Sequence, residues 1–421
     1  MATKHWIGGA TAVAQVATGS IDSVDGTPAN NTFTVTVGGI AISAVGDTDV
    51  ATTATNLRAS LNASTHPYFA AVTWSGGTGD IIGTADTAGV PFVAALTETG
   101  AGTGAVTDFA ATTASAGPND WSTANNWSDV TVPGAADNVY IRHNAHEIVW
   151  GLAQSAIDLT NLYVDQTFTG SIGLKSSEFA TSVDAATTDA TVTEYRQTYL
   201  DIGWTRCEIG DHKGPGAPTG SSRLKLDNDK AGASTTIVHN TAAQGEGSRP
   251  AVMLLAAHAS ATLEVRKAPG GVGLAVDVAA ETSTFGNIDL TDTTSTSSLY
   301  VGEGVTSTNY SQRGGTNKLS AAATVTLIKV DGGTLELLGE DYTVTTLTVG
   351  GGTVTDKHQS TGVAVTTLNL NGGEVDASKS ELARTYTTLN HEGGTLVSNA
   401  ALTVTTYNEP QGLAKLTAAD V

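Results

Sequence analysis

His143-x-x-His146-Glu147 places two imidazoles and a carboxylate within five positions, a donor set able to hold a zinc ion. The segment follows directly on an alternating strand, however, and residues three apart on a continuing strand face opposite ways. An exposed turn is the better reading. Asp227-Asn228-Asp229 begins like a calcium loop, but the Gly and the distal Glu of an EF-hand are missing, which leaves an acidic turn ahead of weak calcium binding. Gly210-Asp211-His212-Lys213-Gly214-Pro215 gathers titratable groups on a stretch expected to be a solvated loop tip. No G-x-S-x-G elbow, P-loop, G-x-G-x-x-G or H-E-x-x-H occurs. The sequence therefore nominates no catalytic, cofactor-binding or metal-ligating residue, and the expected protein is not an enzyme.

Carboxylates that cleave glycosidic bonds act in pairs, so the acids of the regular C-terminal region matter. Glu374, Asp376 and Glu392 sit near corners and do not recur in one column. Trp6, Trp74, Trp121, Trp127, Trp150 and Trp204 all precede residue 205. They are expected to fill domain junctions and cap the end of a core, ahead of forming a sugar-stacking surface. Cys207 is the one cysteine, so no disulfide forms within the chain, and its expected place is a small buried position on a strand.

These residues must be positioned by a repeating scaffold. Val344-Thr345-Thr346-Leu347-Thr348 returns as Val365-Thr366-Thr367-Leu368-Asn369, Tyr386-Thr387-Thr388-Leu389-Asn390 and Val404-Thr405-Thr406-Tyr407-Asn408, at steps of 21, 21 and 18. Val325-Thr326-Leu327-Ile328 lies 19 earlier. Glycine pairs at 314–315, 332–333, 351–352, 372–373 and 393–394 keep the same beat. Two independent features on one period predict a repeat of about 20 residues. A short strand per repeat fits the coils of a right-handed parallel β-helix, with apolar side chains inward and Thr or Asn outward. The glycine pair then marks a corner that needs positive φ or has no room for a side chain. A leucine-rich horseshoe lacks its helical half here, and a β-sandwich would need no such beat.

Residues 1–117 read as a separate α+β domain. Phe33, Val35 and Val37 alternate with Thr as a half-buried strand, and Val50, Ala54, Leu57 and Leu61 share one helical face behind the N-cap candidates Asp47 and Asp49. Strand patterns resume at 70–74 and 91–96. Ala110 to Gly117 is a small, polar linker. The β-helix is expected over 118–421, with a capping segment at 118–141 and regular coils from about 297 to 410. Between these lie short strands at 162–164, 200–202, 224–226, 236–238, 263–265, 276–278, 288–290 and 299–301. Two long connections, Lys175 to Gln197 and Gly210 to Ser222, are where such a scaffold would contact something else.

The chain carries 41 acidic and 20 basic side chains, a formal charge of -21, which repels phosphate backbones and argues against nucleic acid as a partner. Only 14% of residues are charged, and 48 are Gly, as suits a turn-rich all-β chain. The longest apolar run, Ala251 to Ala257, is far too short for a membrane span. The opening MATKHWIGGATAVAQV has no signal-peptide core, so synthesis in a cytoplasm and exit by a route other than cleavable export are expected.

The stretch 118–141, PNDWSTANNWSDVTVPGAADNVYI, resembles the opening of bacterial and phage surface solenoids, where an "NWS…VP…D-V-I" run precedes parallel β-helix coils. With KHWIGGATAVAQV at the start and DTAGVPF in the small domain, the chain is similar to virion structural proteins of tailed bacteriophages over about its first 175 residues. The resemblance implies a capsid decoration or head fibre on the virion surface, with the small domain docking to the major capsid protein or another virion protein. It brings no catalytic residues, and a trimer is the expected assembly. A depolymerising tailspike and a host-glycan-binding adhesin are the alternatives.

Overall fold

Alternating apolar and polar residues oblige a strand to bury one face, and here each strand finds its cover inside the coil it belongs to. The computed structural model describes residues 2–409 apart from 28–29, 175–196, 212–222, 242–248, 278–280, 295, 321–324, 339–342, 358–361 and 381. The strands from Asn138–Ile141 to Leu402–Asn408 pair in parallel, each with a strand one coil away, and form a parallel β-helix. Successive strands alternate between faces. Thr334–Leu337 pairs with Thr353–Asp356, while Val344–Val349, between them in sequence, pairs with Gly362–Leu370.

The repeat read from the sequence is the register itself. Val344, Val365, Tyr386 and Val404 are direct partners on successive coils. Beside them Leu263, Ile288, Tyr310, Ile328, Leu347 and Leu368 stack as one inward column, all buried. Outside, Asn390 donates to Asn369 at 2.7 Å and Asn408 to Asn390 at 2.8 Å, a side-chain ladder running along the coils. The second glycine of each pair has positive φ: +77° at Gly315, +76° at Gly333, +75° at Gly352, +69° at Gly373 and +78° at Gly394. The first is crowded; a Cβ on Gly372 would lie 2.6 Å from the Gly350 carbonyl oxygen. Both physical reasons for glycine at the corner thus hold, one at each position.

Some inward positions break the apolar rule, among them Gln312, Asn317 and, as a charge, Asp356. Asp356 follows Leu319 and Leu337 in its column and is fully buried. Arg384 Nε donates to it at 3.0 Å and the Tyr386 hydroxyl at 2.6 Å, so the charge is paired inside the solenoid.

The small domain contains two antiparallel sheets, one of four strands (Val72–Ser75, Asp80–Ala85, Val16–Ser23, Ala105–Thr113) and one of three (Ile40–Val45, Asn31–Val37, Ala94–Gly100). The helix Val50–Ala63 begins where Asp49 accepts from Thr52 N at 2.8 Å, and Ala54, Leu57 and Leu61 are its buried face. Two strand boundaries shift from expectation. Pro67 starts a short helix, Pro67–Ala70, so the strand expected at 70–74 begins at Val72. The strand expected at 91–96 begins at Ala94, past Pro91 and its missing N–H.

In the solenoid, a strand is expected at 276–278; Val276 and Asp277 lie outside any strand, Val278 is outside the described residues, and the strand here is Val272–Leu274. Ala275 takes φ +50° and ends it, and Asp277 is then free of the ladder to pair with Lys225 and Arg249. The long connections 175–197 and 210–222 lie almost wholly outside the described residues, which include only Gln197, Gly210 and Asp211 of them.

Among the described residues the buried side chains form two cores, one drawn from Ala17 to Leu96 and the other from Trp121 onward, and the N-terminal segment joins the second. The strand Thr3–His5 pairs in parallel with Asn138–Ile141, and Trp6 packs in the solenoid core with Trp121 and Trp127. The chain starts in the solenoid, leaves to build the small domain, and returns at the capping segment.

Candidate functional site

Asn138-Val139-Tyr140-Ile141 and Asn161-Leu162-Tyr163-Val164 are partners in register, so their like residues stack on the outer face. Asn161 donates to Asn138 at 2.6 Å. Tyr140 and Tyr163 lie with ring centroids 4.7 Å apart and planes 18° from parallel. His5, on the strand before, stands 5.2 Å from the Tyr140 ring, and Arg142 Cζ is 5.3 Å from its centroid.

The next rung changes chemistry, because Arg206 and Glu208 follow Asn161 and Tyr163 in register. Arg206 Nε donates to Glu208 Oε1 at 2.6 Å, and His239 Nε2 is 3.0 Å from Oε2. Arg266 Nη1 stands 3.2 Å from His239 Nδ1. Arginine can only donate, so Nδ1 accepts and Nε2 carries the proton given to Glu208. Burial pushes the Glu208 carboxyl upward, but hydrogen bonds from Arg206 and His239 outweigh it and hold the group ionised below its ordinary range. Burial, with Tyr140 and Glu208 beside it, raises the Tyr163 phenol, which stays neutral.

Tyr140, Arg142, Tyr163, Val164, Asp165, Glu208 and Asp211 line an open pocket of about 270 Å³ on this face. Glu208, Asp211 and His239 also bring donor atoms within 4.8 Å of one another, the one such trio among the described residues. It suits a metal poorly. Both Glu208 oxygens and both imidazole nitrogens are engaged, and the guanidinium groups of Arg206 and Arg266 oppose an added cation.

A second cluster lies on another face. Asp201 and Asp227 are register partners on neighbouring strands. Burial first, then the charges of Asp201, Asp229 and Glu281, push Asp227 up to about 7. Lys225, on the same strand, is buried and paired with Asp277, which also binds Arg249, and its Nζ sits 5.8 Å from the Tyr199 ring.

The residues singled out by sequence fall mostly elsewhere. His143 takes φ +51° and is exposed, as is His146, whose carbonyl accepts from Trp6 Nε1 at 3.3 Å. Neither these histidines nor Glu147 joins the carboxylate–imidazole trio. In Asp227-Asn228-Asp229 the asparagine turns inward and accepts from Trp204 N at 3.0 Å while donating to Ser234 at 2.9 Å, so the three do not form a calcium loop. Of Gly210 to Pro215, Asp211 reaches the pocket, and His212, Lys213, Gly214 and Pro215 lie outside the described residues. Glu374 stacks between Thr353 and Thr395, which confirms that its column holds no run of acids. Trp6, Trp74, Trp121, Trp127 and Trp204 are buried, and Trp150 packs against the core partly exposed, as fillers and caps. Cys207 is an inward strand residue whose thiol burial raises well above its usual range. The stacked tyrosines went unremarked in the sequence, although the repeated pattern Asn-apolar-Tyr-apolar, 23 residues apart, announces them.

Comparison with family models, with curated proteins and with solved structures returned no match.

Proposed function

We propose that the chain is a non-enzymatic structural component of a tailed-bacteriophage particle, displayed on its exterior as a capsid decoration or head fibre and made in the host cytoplasm. The observation that carries this reading is a long stack of parallel coils closed at one end by Trp6, Trp121 and Trp127, with an independently cored small domain at that end. Such a body is stiff, and its small domain is a separate surface on which to dock to the major capsid protein or another virion protein. The resemblance of 118–141 to phage solenoid openings supports the same reading. The last described strand, Leu402–Asn408, pairs with Arg384–His391, and an end of this kind favours assembly with further copies, for which a trimer is proposed.

The Asp201–Asp227 pair favours a second reading, a tail fibre or tailspike that binds or depolymerises host polysaccharide. A host-binding adhesin is the third. Copy number on purified particles separates them. Hundreds of copies over the head support decoration, a handful at one vertex supports a tail role, and absence from particles overturns both. Shortened host glycan after incubation with the purified chain would replace the non-enzymatic reading.

A further inference from the structure

We propose that the pocket beside Tyr163 binds one pyranose unit of an uncharged glycan, packed against the part of the Tyr163 ring that lines the pocket. The rungs define that part. His5 and Tyr163 cover the two sides of Tyr140, whereas Tyr163 is covered by Tyr140 on one side and looks toward the Glu208 rung and the pocket on the other. A pyranose presents a flat patch of C–H groups, which packs on an aromatic ring, and a rim of hydroxyls that both donate and accept. The pocket supplies both partners for that rim: carboxylates of Asp165, Glu208 and Asp211 accept, and the Arg142 guanidinium donates. Its volume of about 270 Å³ takes a single ring and leaves the rest of a glycan in solvent.

Competing ligands fit less well. Three carboxylates face the pocket against Arg142, while Arg206 and Arg266 stand behind them, bonded to Glu208 and Glu264, so the lining itself repels a phosphate or a uronate. A cation meets Arg142 in the lining and the guanidinium groups of Arg206 and Arg266 behind Glu208 and His239. Glu208 is pre-organised by Arg206 and His239, so it meets a hydroxyl without first being ordered.

The inference rests on the proposed exterior display only for the source of the glycan. Binding is read on the purified full-length chain and particle location on virions, so either can fail alone. The experiment is calorimetric titration with methyl glucoside, methyl galactoside and methyl N-acetylglucosaminide, with glucuronate as the anionic control. At least one neutral glycoside should bind with a millimolar Kd, and glucuronate should bind at least about tenfold more weakly. Tyr163→Ala should weaken binding by about tenfold or more, while Tyr163→Phe, which keeps the ring, should stay within about threefold. Asp211→Asn, at the pocket edge, should weaken it by about threefold or more, and decides the matter if Tyr163→Ala does not fold. No binding by any neutral glycoside, a preference for glucuronate, or unchanged affinity in both Tyr163→Ala and Asp211→Asn would overturn the proposal.

Discussion

Asp227 in the folded chain keeps a proton that it would give up when unfolded. Its pKa is raised by burial first, then by Asp201, Asp229 and Glu281, from 3.8 to about 7. Between these values the unfolded chain binds fewer protons than the folded one, so stability falls as pH rises through the window. The contribution is fully present below about pH 4 and lost above about pH 7. Asp227→Asn removes the titration. The variant should match the wild type near pH 4 and exceed it by on the order of 2 kcal/mol near pH 8, measured by urea unfolding across that range. A difference that does not change with pH would show that Asp227 ionises normally. Asp227 and Asp229 were legible in the sequence as an acidic turn, whereas Asp227 lies on the strand Leu224–Asn228, and its partner Asp201, 26 positions earlier, was not legible at all. It becomes a neighbour only once the coil length around it is known. Tyr140 and Tyr163 differ, because their identical surroundings at a step of 23 are visible in the chain itself.

At the scale of the coil, glycine pairs and Val-Thr-Thr motifs keep time together from about residue 314 on, which made that half of the β-helix legible. Earlier coils hid it: Tyr163 and Glu208 are stacked neighbours, yet 45 residues separate them. Separations of that size, about twice a regular coil, erase a period without disturbing the register they interrupt. The strand expected from Val276 on does not form at Val276 and Asp277 for a related reason, since alternation fits there but Ala275 has already turned the chain. The corner glycines give this scale its test. A side chain at Gly373 would need φ +69° and put Cβ 2.5 Å from the Gly352 oxygen, while at Gly372 it would meet the Gly350 oxygen. Gly372→Val and Gly373→Val should each cost about 1–3 kcal/mol and lower the melting temperature, whereas Glu374→Gln should stay within about 0.5 kcal/mol. Unchanged melting in both glycine variants would remove the corner assignment.

Across the whole molecule, residue number and structural membership part company at the N-terminus. Trp6 precedes the entire small domain, but its ring meets Trp127 edge-on at 5.2 Å, and Trp127 in turn packs 4.7 Å from Trp121 and donates to its carbonyl at 2.9 Å. Lys4 adds an ion pair to Asp129 at 2.6 Å. A division of the sequence by composition puts Trp6 with its neighbours in number, because nothing in a strand of three residues announces a partner about 135 positions away. Among the described residues the two cores share no buried side chain, so they should unfold in separable steps. Trp6→Ala empties a filled site in the solenoid cap and should destabilise the solenoid step by about 3–5 kcal/mol while leaving the small-domain step in place. Trp74→Ala, in the small-domain core against Phe69, Phe92 and Phe109, should do the reverse. Calorimetric unfolding of the two variants reads both steps at once. If either substitution moves both transitions equally, the domains melt as one unit and the first strand is the tie that couples them.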